Sequence, residues 1–140
     1  MKELENLIET YEERLHKALI LGDEKEIKKI GEECFKICMN LGKEENNDSL
    51  KYCFLALRIA TNYLNDPQKK QEAGELCYNK CKKRGLFILA LSIAEELGDE
   101  QKIEEVKEKA YNECIDYECV EEALRVAKNY LQEKIKDTVK

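Results

Sequence analysis

The chain has no tryptophan, one proline and a single histidine in 140 residues. One proline and six glycines argue against a many-turned β sandwich, which needs turn residues every ~8–12 positions. With His16 alone, any Ser/His/Asp or Cys/His nucleophile system would have to use that ring. It lies between Leu15 and Lys17 on an ordinary helical pattern, so a structural histidine is the simpler reading. The glycines at 22, 31, 42, 74, 85 and 98 are isolated, so there is no glycine-rich phosphate loop. Long apolar runs are missing too. The longest is Leu86 to Leu91, resuming after Ser92 at Ile93 and Ala94, far short of the ~18–20 residues that cross a bilayer. Positive charge is mostly lysine, 20 against 4 arginines, and the net charge is −6. Nucleic-acid binding draws on cationic neutralisation of phosphates, and arginine is the better fork, so no nucleic acid is expected as partner.

What remains suits one helical domain over residues 1–140. Apolar residues make up 43% and charged residues 39%, too apolar for disorder and too charged for a membrane protein. A chain this long buries roughly two-thirds of its unfolded surface, so neither disulfide nor metal is needed to hold a core. Met1-Lys2-Glu3-Leu4-Glu5 carries no apolar leader, and a cytoplasmic protein is expected. Thiols there stay reduced, and seven cysteines cannot all pair.

An internal repeat organises the chain. Leu21-Gly22-Asp23, Leu64-Asn65-Asp66 and Leu97-Gly98-Asp99 are copies of one turn. Each aspartate can accept from the free amides that open the next helix. Asp23 has Glu26 three residues on, a capping-box arrangement, and Asp66 precedes Pro67, whose missing donor costs nothing at a first helical position. After the turns, Ile30-Gly31-Glu32-Glu33-Cys34-Phe35-Lys36-Ile37-Cys38 aligns with Ala73-Gly74-Glu75-Leu76-Cys77-Tyr78-Asn79-Lys80-Cys81 and with Val106-Lys107-Glu108-Lys109-Ala110-Tyr111-Asn112-Glu113-Cys114. Before the turns, Ala56-Leu57-Arg58-Ile59-Ala60 recurs as Ala90-Leu91-Ser92-Ile93-Ala94 and Ala123-Leu124-Arg125-Val126-Ala127, at intervals of 34 and 33.

The periodicity predicts helices over about 3–21, 24–40, 48–64, 67–84, 86–97, 100–115 and 117–137. Short loops make consecutive helices antiparallel. The one longer loop, Gly42 to Asn47, explains why the first interval between turns is 43 residues rather than about 34. The repeats run about 3–43, 47–84 and 86–115, and the helix over 117–137 caps the stack with a polar tail.

The repeat spacing, the Ala-Leu-x-Ile/Val-Ala helix, the Leu-Gly-Asp turn and the small-then-aromatic second helix resemble the tetratricopeptide-like family of helical repeats. The resemblance covers nearly the whole chain. It implies an all-α, right-handed superhelix of antiparallel hairpins that binds peptides or partner proteins along a concave face.

Two Cys-x-x-x-Cys pairs, Cys34/Cys38 and Cys77/Cys81, each place two thiols on one helix face. Two facing helices could supply four sulfurs to a tetrahedral zinc or iron–sulfur site. Packing explains more. These cysteines fill two repeat columns, in which the third repeat puts Ala110 and Cys114, and free cysteine behaves as a small apolar residue. Gly31 and Gly74 share a column, consistent with close helix approach. Cys53 is a core residue in this reading, and Cys114 with Cys119 flank a turn where a bridge would form if any did. No cofactor and no metal are expected.

Lys80, Lys82, Lys83 and Arg84 end a helix at Gly85, where cations complement the macrodipole. Pairs such as Glu12/Glu13, Glu95/Glu96 and Glu121/Glu122 read as solvated faces, and no catalytic centre emerges. The candidate binding surface is the repeat of Arg58 and Asn62 as Arg125 and Asn129, each pair four apart. Asparagine can pair with peptide amides and arginine with a carboxylate, and Lys51 extends the stripe. Retention of exposed residues by duplicated repeats explains the same pattern without a ligand. The expectation is a non-catalytic protein- or peptide-binding module. The rivals are a metal or redox protein using the cysteine pairs and a homo-oligomeric scaffold that self-associates near Leu86-Phe87-Ile88.

Overall fold

The computed structural model describes residues 2–116, with side chains from 3 to 113. Among them every element is helical: α1 (Lys2–Leu21), α2 (Glu24–Gly42), α3 (Ser49–Ile59), a π-helical turn (Ala60–Leu64), α4 (Pro67–Lys83), α5 (Phe87–Leu97) and α6 (Glu100–Asp116). The all-α expectation therefore holds for the described residues. The seventh expected helix, over 117–137, lies outside them, as do Cys119, Arg125 and Asn129.

The expected boundaries differ from the structure by more than one residue at two places. The α2 helix continues to Gly42, because Gly42 can pack where a larger residue cannot. A Cβ there would lie 2.8 Å from Cys53 Sγ and 3.3 Å from the Cys53 amide nitrogen. The helix expected over 48–64 is α-helical only to Ile59 and then widens into the π turn.

The turns close as their residues dictate. Gly22, Gly85 and Gly98 take φ of 70°, 73° and 66°, a conformation that costs an L side chain about 1–2 kcal/mol. After each, two amides return to the helix. Gly22 N–H bonds Leu19 O at 3.2 Å and Asp23 N–H bonds Ala18 O at 2.9 Å, and the Gly85 and Gly98 turns repeat the pattern. Capping follows. Asp23 Oδ1 accepts from Glu26 N–H at 3.2 Å, Asp66 Oδ1 from Gln68 and Lys69 N–H at 3.0 and 3.1 Å, and Asp99 Oδ1 from Lys102 N–H at 3.2 Å. Half of the expected capping box is replaced. The Asp23 amide bonds Ala18 O, and the Glu26 carboxylate instead takes Arg14 at 2.9 Å.

The described residues form two compact units, divided within α4 between Cys77 and Tyr78. In the first, α2 packs against α1, α3 and the π turn. Its buried face is Ile27, Ile30, Gly31, Cys34, Phe35, Cys38, Met39, Leu41 and Gly42, the three-and-four spacing of one helix stripe. Leu15, Ile30 and Ile59 are at most 1% exposed, and burying each is worth about 1.5–3 kcal/mol. The Arg58–Glu12 ion pair between α3 and α1 has side chains 53% and 35% exposed, a setting that yields at most about 1 kcal/mol. The apolar stripe therefore holds this unit.

In the second unit α5 packs on α6. Leu86 offers α5 no side-chain cap. Glu113 of α6 supplies one, its Oε2 accepting from Phe87 N–H at 2.7 Å. Tyr78 is 1% exposed, and its hydroxyl donates to Lys102 O at 3.2 Å. Burial first, then the nearby Glu105 carboxylate, pushes that hydroxyl up to about 12.

Candidate binding groove

The sequence-derived candidates fall on different surfaces. Lys51 is exposed on α3, its Nζ 5.9 Å from the Tyr52 ring centre. Arg58 is exposed too, but its guanidinium is held by the Glu12 carboxylate, so a ligand carboxylate there would compete with Glu12. Asn62 is exposed within the π turn, where closure five residues back rather than four changes its angular relation to Arg58. Arg125 and Asn129 lie outside the described residues.

Cys34, Cys38, Cys53, Cys77 and Cys81 are unbridged and buried, each at 0% exposure. Ala110, the third member of the Cys34 and Cys77 column, is equally buried. The Cys38 thiol is pushed up, first by its hydrogen bond with Cys34 and then by burial. Cys53 Sγ donates to Gly42 O at 3.3 Å. Among the described residues, no three His, Cys, Asp or Glu side chains come together as metal ligands. In the basic run, Lys80 is buried and Lys82 is paired with Glu105. Leu86, Phe87 and Ile88 are half-buried.

A feature of the first unit did not emerge from the repeat columns. A cleft of about 580 Å³ lies between the two turns, walled by Leu19, Gly22 and Glu24 on one side and Tyr63, Leu64, Asn65 and Asp66 on the other. Ile27, Lys28 and Glu32 of α2 also line it. A second cleft, of about 370 Å³, continues from Glu32 along α2 past Phe35, Lys36, Met39, Asn40 and Lys43, with Lys69 and Glu72 of α4 opposite. The two share Glu32. Ile27, Phe35 and Met39 form an apolar floor at 8%, 5% and 4% exposure, while Glu24, Lys28, Glu32, Lys36 and Lys43 are exposed along the rim. The Lys69 ammonium stands 6.0 Å from the Phe35 ring centre. Next to the turn, Leu19, Ile20 and Leu21 are 48%, 72% and 76% exposed.

The π turn shapes the first cleft. Both Asn65 N–H and Asp66 N–H return to Ala60 O, and Asn65 takes φ 48°. Leu64 then lies against α2. A Cβ on Gly31 would be 2.6 Å from Leu64 Cδ2, so only glycine admits Leu64 at this separation. A sequence signal for the turn existed. Ala60 to Leu64 is four residues and Ala94 to Leu97 is three, and the surplus residue is what the π turn absorbs. Its Thr61 Oγ1 is buried with no hydrogen-bond partner among the described residues.

No known protein family, curated protein or solved structure matches the chain.

Proposed function

We propose that the chain is a non-catalytic, cytoplasmic helical-repeat module, a tetratricopeptide-like right-handed stack of hairpins, that binds a peptide segment of a partner protein. The observation that carries this is the apolar-floored, charge-rimmed groove along α2. Its walls are largely charged and polar, with Ile27, Phe35 and Met39 beneath them, so it offers a peptide hydrogen-bonding and ionic partners over a limited apolar floor. Unbridged, buried thiols suit a reducing compartment. Among the described residues no helix is long and apolar enough to cross a membrane. The groove supports the binding reading better than the Arg58 face, where Glu12 already occupies the guanidinium.

The test is selection of peptides from a random display library on the full chain, followed by amide chemical-shift mapping. Shifts clustered on Ile27, Lys28, Phe35 and Leu64, with affinity lowered by Tyr63→Ala and unchanged by Arg58→Ala, are expected. Shifts clustered on Lys51, Arg58 and Asn62 would move the site to the opposite candidate. No selectable peptide would remove the binding reading.

A further inference from the structure

Three consecutive apolar residues end α1 in the open. Leu19, Ile20 and Leu21 are 48%, 72% and 76% exposed, while Leu15 and Ala18 just before them are 0% and 4% exposed. At about 100° per residue they point to three sides of the helix, so no single neighbouring helix covers all three. Gly22 continues the bare tip, since a Cβ there would meet nothing within 4 Å. Single exposed leucines are ordinary, but a contiguous patch is not. The cleft between the turns opens beside this tip, with Leu19, Ile27, Tyr63 and Leu64 among its walls. One surface thus carries a projecting apolar tip and a recess with apolar walls side by side. A partner of different sequence would have to supply both counterparts. A second copy of this chain has them already, and a two-fold axis sets each tip toward the recess of the other.

Charge and area agree with a second copy. The whole chain carries −6, but from Glu13 to Lys29 five cations stand against four anions, so two tips meet with little repulsion. Only Gly22 and Asp23 join α1 to α2, which makes the two helices antiparallel. A two-fold axis normal to that hairpin sets the end of α1 in one copy against the start of α2 in the other. The nearest charge on the α1 side is Lys17, and α2 opens with Asp23 and Glu24 before Lys25, all four exposed. The three apolar residues expose roughly 350 Å² per copy, within the ~300–600 Å² of patches that are often functional. Two such tips, with the cleft rims that they meet, bury about 1,000 Å², the least that a specific contact needs.

We infer that the α1–α2 tip, Leu19 to Glu24, is a self-association surface through which two copies of the chain form a weak two-fold dimer. Lys17 of each copy faces Glu24 of the other. The contact goes beyond the peptide-binding reading and takes only the turn end of the groove, leaving Phe35 to Lys43 open.

Sedimentation equilibrium of the full chain under reducing conditions, from about 5 μM to about 1 mM, tests it. The expected result is a monomer–dimer equilibrium with a Kd of roughly 10–1,000 μM, as suits a small contact. Ile20→Asn/Leu21→Asn should raise that Kd at least tenfold and keep the parent helical spectrum, because both side chains are exposed. Lys17→Glu and Glu24→Lys should each weaken the dimer, and the two together should restore it. Leu89→Asn, at a residue 41% exposed on α5, should change nothing. Amide shifts that move with concentration should gather on Leu19 to Glu24, Ile27 and Leu64, and they decide the matter alone if the tip variant loses its helical spectrum. A chain that stays monomeric throughout would overturn the inference, leaving the tip to a partner of other sequence and the peptide-binding reading intact. A dimer weakened by Leu89→Asn and not by the tip variant would overturn it too, by moving the contact to α5. Charge reversals that add rather than compensate would overturn the two-fold pairing of Lys17 with Glu24.

Discussion

The turns after Leu64 and Leu97 share a leucine, a left-handed residue and a capping aspartate, yet they close differently. After Leu97, Gly98 N–H returns three residues to Glu95 O and Asp99 N–H returns five to Ala94 O. After Leu64, Asn65 N–H and Asp66 N–H both reach back to Ala60 O, five and six residues away. The difference is one residue, and it sits between the same alanine and the same leucine. An extra residue in a helix can shift everything beyond it or be absorbed locally in a widened turn. Here it is absorbed. The cap after it is intact, and Leu64 lies over Gly31 as a wall of the cleft. The longer alanine-to-leucine spacing thereby sets the geometry of the first unit's turn apart from the turn after Leu97.

The sharpest way to break the comparison is to remove the surplus. Deleting Thr61 together with Asn65→Gly gives the first turn the spacing and left-handed glycine of the second. The deletion also removes a buried hydroxyl that lacks a partner among the described residues, a group whose burial costs about 1–3 kcal/mol. The expected outcome is a cooperatively folded helical protein whose groove has lost the Leu64 wall and whose peptide affinity falls by at least tenfold. Retained affinity would detach the π turn from binding. Loss of cooperative unfolding would show that packing on α2 requires the wider turn.

The left-handed residues give the next largest effect. A Cβ on Gly98 meets nothing within 4 Å, so Gly98→Ala pays only for backbone conformation, about 1–2 kcal/mol, or a few degrees of melting temperature. Asn65 already tolerates its φ of 48°, and Asn65→Gly should change stability by no more than a few tenths of a kcal/mol. Equal responses in thermal melts would mean that turn conformation does not limit either site.

Most of this architecture could be read from residues alone, for a physical reason. Helix period, capping aspartates and left-handed glycines are local, and they placed five of the six described helices to within two residues, the exception being the α-helical end of α3. The buried cysteine columns followed from repetition. The groove did not, because several of its lining residues, such as Glu32, Phe35 and Leu64, belong to the repeated segments and nothing in the repetition marks them as facing a cleft. Lys28 and Lys36 look like ordinary solvated lysines, and Tyr63 and Leu64 gain their meaning from a turn type that only hydrogen bonding reveals. The unequal intervals of 34 and 33 hinted at it. The engagement of Arg58 by Glu12, 46 positions away in sequence, was equally beyond local pattern.

Gly31→Ala tests the close approach with a smaller effect on stability. Alanine gains about 1 kcal/mol of helix propensity over glycine. The opposing contact, 2.6 Å to Leu64 Cδ2, is with the far end of a side chain that can swing away. A net change within about 1 kcal/mol is expected, together with a displaced Leu64 methyl resonance and weaker peptide binding. An unmoved methyl would show that α2 itself yields. Gly42→Ala is the contrast, since its Cβ would press on the Cys53 backbone. It should cost about 1–3 kcal/mol as overpacking.

The smallest effect separates the two caps by acid and salt. Asp66 is held below the usual carboxylate range first by the Lys69 backbone amide. Asp99 is held down first by the Lys102 side chain, whose Nζ is 3.0 Å from Oδ2. In both, the folded-state value is depressed. The stability each adds is whole above the ordinary value near ~3.9 and is lost as pH falls through the lowered one. Asp66→Asn and Asp99→Asn should each flatten the acid limb of a urea-midpoint profile and converge with the parent at its acid end. At ~1 M salt the screening length shrinks to ~3 Å. The flattening caused by Asp99→Asn should then shrink, because the Lys102 ammonium, a mobile side-chain charge, is its main cause. That caused by Asp66→Asn should persist, because a fixed backbone donor within the first helical turn is less open to screening. Equal salt sensitivity of the two would mean that the caps differ in sequence only, and that the contrast between these turns ends at the surplus residue.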